Sequence, residues 1–450
     1  MKNYHRVQSR YLPRLQKSEY PFWGMLAVMG LIYLSPFTSS LLCYLALAIC
    51  LYRVVRYDEQ TFAADWCLLM PLTFIFVSSG RFALLVWVCL FAGIWSVIRK
   101  GLRGDMVLVF LLLLVNYLVM RMQLDAKRFV LSVGSILALY MVLPRQSPGS
   151  AARAAKLFCL SQILSSVYAM ALRDAWQLQR LIGREDDAIW GSGIKRFMGL
   201  MTDPNYYMAA LIIALGLLIK LKESKRISAP HFWAMGSLLL LFGLLSYSKT
   251  FLLVVACLAV AYVIWQFFRG KVFRGILLTV GAVAATAVLL TAEWSPVAVT
   301  LERLLGAKDM DSITTGRWEV YLTYLNAITE DAGTFLLGRG MAAGQLFKAP
   351  HNIYLEILYH FGTVGLVLFG TFFAVLARRL AAVAGQRRSS FMAKYLVVGA
   401  MLLMFMSLHG IFQAYTYGDV FAAMLSVVIT DQGIMPAENG PVPAEQSGKE

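Results

Sequence analysis

The sequence predicts an all-α polytopic integral membrane protein of about 12–14 transmembrane helices with one long extracytoplasmic loop. Three observations carry that expectation. Of 450 residues, 59% are hydrophobic and 15% charged, and the mean hydropathy is +0.66, where a soluble chain of this size carries more charge. Apolar stretches of about 15 to 20 residues recur along the chain, close to the roughly 20 that a crossing helix needs. The cations gather in alternate loops, as they do when Lys and Arg resist translocation.

The elements follow in order. Residues 1–20 form a basic tail carrying Lys2, Arg6, Arg10, Arg14 and Lys17. The apolar stretch that begins at Pro21 has no small-residue cleavage pattern behind it and reads as an uncleaved helix. Fourteen candidate spans are expected over 21–36, 38–53, 61–79, 82–98, 106–122, 128–144, 155–172, 205–221, 231–248, 250–268, 275–291, 353–376, 395–412 and 417–430. They form a single transmembrane domain over 21–430, interrupted by a large polar loop over 292–352. Residues 431–450 are rich in Pro, Gly and Glu and read as a disordered tail. The six cysteines lie in or beside apolar spans and form no C-x-x-C, so they read as small buried hydrophobes.

Loop charge sets the expected orientation. With the basic N-terminus in the cytoplasm, the cytoplasmic connections carry Arg53/Arg56, Arg99/Lys100/Arg103, Arg145/Arg153/Lys156, Lys220/Lys222/Lys225/Arg226, Arg269/Lys271/Arg274 and Arg378/Arg379/Arg387/Arg388/Lys394. Both termini then lie inside and the 292–352 loop outside. The net charge of +16 is mostly this topology, not a nucleic-acid footprint. Few cations remain outside: Arg81, the Arg121/Lys127/Arg128 group, those of 173–204, Lys249 and those of the large loop. Charges placed against the insertion bias invite a functional reading.

Several motifs fall on that outer side. Lys195-Arg196-Phe197-Met198-Gly199-Leu200 precedes Asp203-Pro204-Asn205, where Asp203 suits a helix N-cap and Pro204 the first helical position. Ser246-x-x-Lys249 matches a serine-acylase motif, but its partner motifs are absent and its flanks are apolar helices, so Lys249 reads as a cation facing a lipid phosphate. Asp309-Met310-Asp311 resembles a metal-holding acidic pair, yet the chain has no nucleotide-binding α/β domain and the residues read as a turn. Thr314-Thr315-Gly316-Arg317-Trp318-Glu319 opens a helix expected through about Ile328, with Thr315 as an imperfect N-cap. Arg317 near a helix N-terminus opposes the dipole, a misfit that an anionic partner would relieve. Gly338-Arg339-Gly340-x-x-x-Gly344 has no βαβ context and reads as a tight backbone turn. His351 sits between Pro350 and Asn352 at the mouth of the 353–376 span, where an imidazole can take a proton from a hydroxyl; His360 falls on the opposite helix face.

Taken in order, these residues resemble the O-antigen ligase and O-antigen polymerase superfamily over roughly Lys195 to Leu368. The resemblance rests on Arg196-x-x-Gly199-x-x-x-Asp203-Pro204-Asn205, Ser248-Lys249-Thr250, Gly316-Arg317-Trp318, Gly338-x-Gly340, His351-Asn352-x-x-Leu355-Glu356 and Gly362-x-x-Gly365. It implies a metal-independent, inverting glycosyl transfer at the outer face of a bacterial plasma membrane, without a cofactor. The donor would be a glycan on undecaprenyl pyrophosphate; the acceptor would be another lipid-linked glycan in a polymerase, or the lipid A core in a ligase. A flippase and a chain-length regulator are the implied partners. Arg196, Lys249 and Arg317 would hold the pyrophosphate, His351 would act as base, and Asn205, Asn352 and Glu356 would support the site. Lys249 stands where the family often has Arg, which keeps charge but loses bidentate phosphate recognition. Two other classes compete: a lipid-linked-glycan transporter or flippase, which needs ionisable groups deep within spans that here read as nearly free of them, and a non-catalytic scaffold.

Overall fold

The computed structural model describes residues 21–72, 84–101, 126–173, 175, 195–291, 295–310, 314, 316–340, 346, 348–383, 391–408, 410 and 414–430. The expected span 106–122, both tails, Arg81, Arg121, Asp311, Thr315 and Gly344 lie outside them. Among the described residues the chain is all helical and contains no β-strand. Every expected span other than 106–122 contains a helix.

The first six helices are α1 (Phe22–Leu34), α2 (Leu41–Arg56), α3 (Glu59–Leu69), α4 (Leu84–Lys100), α5 (Ala126–Val142) and α6 (Pro148–Ala171). Then come α7 (Pro204–Glu223), α8 (Ala229–Leu244), α9 (Lys249–Phe268) and α10 (Val272–Thr291). The polar block folds as three short helices, α11 (Pro296–Leu305), α12 (Trp318–Thr329) and α13 (Ala332–Leu337). The chain closes with α14 (Ile353–Val383), α15 (Phe391–Met404) and α16 (Ala414–Val428). Four stretches, Pro148–Ala171, Pro204–Glu223, Lys249–Phe268 and Ile353–Ala381, are long and apolar enough to cross a membrane, compatible with a membrane protein.

Local chemistry starts these helices where the sequence places polar caps. Asp58, Ser147, Asp203, Ser248, Ser295 and Asp331 each accept a backbone N–H of the following turn, and Pro148, Pro204 and Pro296 fill first-turn positions whose N–H would be unpaired. Helix α7 is the axis of the bundle: it packs on α6, α8, α15 and α16, and 89% of its apolar window is buried. Helix α9 is more apolar still, yet only 22% of its window is buried, so its outer face needs an apolar surrounding. Residues at loops assigned to one side pair in two groups: Glu59 with Lys100 (2.5 Å) and Arg145 (3.1 Å), and Glu223 with Arg269 (2.6 Å).

Two expectations change. The span 353–376 is not one uninterrupted helix. Gly362 adopts φ 63°, ψ −168°, and the carbonyls of Tyr359 and His360 take backbone N–H donors from Arg339 and Gly340, both at 2.8 Å. The polar loop thereby satisfies the carbonyls that the break leaves open. A Cβ on Gly338 would strike the His360 backbone, and one on Gly362 the Leu336 carbonyl, so both glycines are required by backbone-on-backbone contact. Nor are the apolar helices free of ionisable groups. Arg53 and Asp65 form a buried bidentate pair with both N···O distances 2.8 Å, and Lys220 and Asp419 are buried as well. In this low-dielectric setting a pair such as Arg53–Asp65 persists because breaking it strands a charge.

Candidate functional site

The segment between Lys195 and Pro204 is held by packing before it holds anything else. Gly199 adopts φ 58°, and a Cβ there would lie 2.6 Å from the Tyr207 ring, which also stacks edge-on against Phe197. This turn sets Arg196 against the end of α8. The turn that follows α8 exposes backbone carbonyls that need partners, and three of them are used here. Leu245 O accepts from the Phe197 N–H (3.0 Å), Ser246 O from Arg196 Nε (3.0 Å), and Tyr247 O from Arg303 Nη1 (3.1 Å). Tyr247 itself has φ 49°, and Ser248 then caps α9, so Lys249 and Thr250 stand in its first turn.

Arg196, Lys249, Arg303 and Arg317 come together around one cavity of about 170 Å³, also lined by Asn205, Ser248, Thr250, Tyr321 and Ser407. The described lining contains four cations and no carboxylate. It also takes residues from the N-terminal turns of three helices: Asn205 of α7, Ser248 to Thr250 at α9, and Arg317 at the N-cap position of α12. Helix N-termini carry partial positive charge and unpaired N–H groups, so they add to the field of the side chains. Burial lowers the Arg303 guanidinium below its ordinary range, a cost of desolvation that a bound anion would relieve. A single water needs about 10–15 Å³, so the cavity admits a polyatomic anion.

A separate apolar groove of about 430 Å³ begins one turn further along α9, lined by Val254, Leu258 and Ala261 of α9, Leu396 and Leu403 of α15, and Tyr354 of α14. Thr250 and Ser407, whose hydroxyls lie 3.5 Å apart, belong to the polar cavity at the ends of the strips formed by α9 and by α15.

The sequence-derived residues thus divide. Arg196, Asn205, Lys249 and Arg317 share the cavity wall. His351 adjoins it through Tyr321, whose hydroxyl is 3.5 Å from the His351 carbonyl and 3.3 Å from that of Met406. The His351 backbone has φ 44°, a left-handed conformation costly for a non-glycine residue, and the next residues hold it there. Asn352 Oδ1 accepts from the N–H groups of Tyr354 (3.0 Å) and Leu355 (3.2 Å), and the Ile353 N–H donates to Phe405 O (2.8 Å). Glu356 is buried and its Oε2 accepts the Gly410 N–H at 2.7 Å, so it ties α14 to the segment after α15. Neither Asn352 nor Glu356 lines the cavity.

Helix α12 begins at Trp318, with Arg317 at its N-cap position and no side-chain cap. A small apolar cluster of Val320, Tyr324, Ile328, Leu355 and Tyr359 clamps α12 to α14. Within it the Tyr324 hydroxyl donates to Lys348 O (3.0 Å) and burial raises it to about 12. Arg339 pairs with Glu330, and His360 Nδ1 bonds to Gly340 O (2.8 Å), so these two groups serve the loop's docking. Ser246 is fully buried with its Oγ donating to Gly243 O, which leaves the Ser-x-x-Lys motif without an accessible nucleophile. Sequence reasoning missed Arg303; its only signal was being a cation in the large loop.

No protein-family model matches the chain, and no curated protein matches it. The functional reading therefore rests on the cavity.

Proposed function

We propose that this chain is a membrane glycosyltransferase that moves a glycan from a polyprenyl diphosphate, undecaprenyl pyrophosphate in a bacterial envelope, to a hydroxyl of a second glycan. The observation that carries the reading is the meeting of Arg196, Lys249, Arg303 and Arg317 with three helix N-termini in a cavity that adjoins an apolar groove. A diphosphate suits the first part and an isoprenoid chain the second. Charge grows on the diphosphate as the glycosidic bond breaks, and fixed cations at a low-dielectric boundary stabilise that growth more than they stabilise the bound donor.

In this mechanism the acceptor hydroxyl attacks the anomeric carbon opposite the leaving diphosphate and gives its proton to His351. Asn352, by capping α14, holds the backbone that carries His351. Glu356 supports the same helix mouth from the far side. The transfer inverts the anomeric centre and assigns no step to a metal or nucleotide. The topology that accompanies the proposal has 12–14 spans, both termini in the cytoplasm, and the 292–352 loop on the outer side of the plasma membrane, where a flippase delivers donor and a chain-length regulator sets polymer size. If the acceptor were the lipid A core, the same site would act as a ligase.

The test is reconstitution. Purified protein in liposomes, supplied with lipid-linked repeat units and no nucleotide, is expected to lengthen the glycan. Donor that stays unextended while the protein remains folded would reject the transferase reading, and reporter fusions placing 292–352 in the cytosol would reject its topology.

A further inference from the structure

A second pocket lies well away from the cationic cavity. It is walled by α7, α8, α9 and α10 near the ends of α7 and α9, has a volume of about 280 Å³, and its lining includes Leu218, Trp233, Gly236, Leu258, Tyr262 and Arg274. Along α9, thirteen residues separate Lys249 from Tyr262, about 20 Å at the helical rise. The two apolar spaces lie on either side of α9, with Leu258 contributing to both.

The wall is almost wholly apolar, and Arg274 is the charged side chain among its described lining residues. Its Nη2 donates to the Tyr262 hydroxyl at 3.0 Å; that hydroxyl is 3.2 Å from Glu223, which pairs with Arg269 at 2.6 Å. Arg274 is thus aimed by a chain that begins at a carboxylate already paired with another cation. Lys271, between Arg269 and Arg274 in the chain, is exposed, so cations outnumber carboxylates at this end. Trp233, Phe268 and Phe273 are 60%, 81% and 79% exposed around the same end. Aromatic side chains of that exposure suit a lipid–water boundary. Inside the pocket, a Cβ on Gly236 would meet no heavy atom within 4 Å, so the space in front of it is open.

We infer that this pocket binds an anionic phospholipid, one acyl chain lying between α8 and α9 and the phosphate held by Arg274 with Lys271. A cation at the mouth of an apolar cleft between membrane helices selects for such headgroups over zwitterionic ones. The inference rests on the membrane reading of the chain and is independent of the transfer chemistry.

The test uses the full-length protein in detergent, with native mass spectrometry against dioleoyl phosphatidylglycerol, dioleoyl phosphatidylcholine and soluble glycerol phosphate. The expected result is retention of phosphatidylglycerol at least tenfold above phosphatidylcholine, with glycerol phosphate not retained. Arg274→Gln lowers phosphatidylglycerol to the phosphatidylcholine level, Arg274→Lys restores most of it, and Gly236→Leu, which fills open space, removes retention while the melting temperature of the apo protein holds. Arg317→Gln leaves the binding unchanged. Equal retention of the two lipids, equal retention of glycerol phosphate, or retention that survives Gly236→Leu would overturn the inference. Loss with Arg317→Gln alone would assign the bound lipid to the cationic cavity and overturn it too.

Discussion

Arg303→Gln is the sharpest test of the cavity. Arg303 is half-buried, its Nη1 is satisfied by Tyr247 O, and it supplies one of four positive charges around the proposed diphosphate. The substitution removes the charge and shortens the side chain, leaving one amide in place of the five-donor guanidinium. A charge-assisted hydrogen bond of this kind contributes about 1.5–3 kcal/mol, which converts to a roughly 10- to 150-fold loss in kcat/KM for glycan transfer. Because the leaving group gains charge along the reaction, most of that loss is expected in kcat. The hydrogen bond lost to the Tyr247 carbonyl is a single one, at a residue that is only partly buried, so the stability cost should be about 1–3 kcal/mol at most. The assay is initial-rate transfer by purified, reconstituted protein over a donor series, with thermal melting as the fold control. Arg303→Gln with less than a twofold loss, at unchanged melting temperature, would refute the role of this cavity in holding the donor.

Three further outcomes are expected. His351→Ala should reach normal membrane abundance yet lose transfer by about 10²- to 10⁴-fold, read by polymer length on gels; wild-type polymer would remove His351 from the mechanism. Gly362→Ala should destabilise by about 2–4 kcal/mol, lowering abundance and melting temperature, because it adds left-handed strain and a clash with the Leu336 carbonyl; an unshifted melting curve would mean the loop does not dock there. Arg53→Met should destabilise by about 3–5 kcal/mol by stranding buried Asp65, and Arg53→Met with Asp65→Leu should recover most of it; a double variant no better than the single would mean the pair's charge is not the source of the effect.

Much of the fold was legible because its causes are local. Asp203-Pro204 announces the start of α7 through one carboxylate and one missing N–H, and the structure starts the helix there. Apolar runs mark α9 and α14, since burial or lipid is the only tolerable surrounding for them. Less was legible at the site. Arg196, Lys249 and Arg317 stood out because the expected topology assigns them to the side where loop cations are scarce. Arg303 shared that mark with the other cations of the large loop, and no motif around it in its short amphipathic helix set it apart. The break at Gly362 was hidden because its hydrogen-bond partners, Arg339 and Gly340, come from another part of the chain.

By itself, then, the sequence determined the elements: apolar length, caps and loop charge each act within a few residues and need no knowledge of the fold. Only the tertiary structure decided what meets. Four cations from positions 196, 249, 303 and 317 converge because the turn between α8 and α9 offers carbonyls to Arg196 and Arg303 and the starts of α9 and α12 bring Lys249 and Arg317 to the same place. Like charges do not gather unaided; long-range packing imposes that arrangement, and no local pattern encodes it.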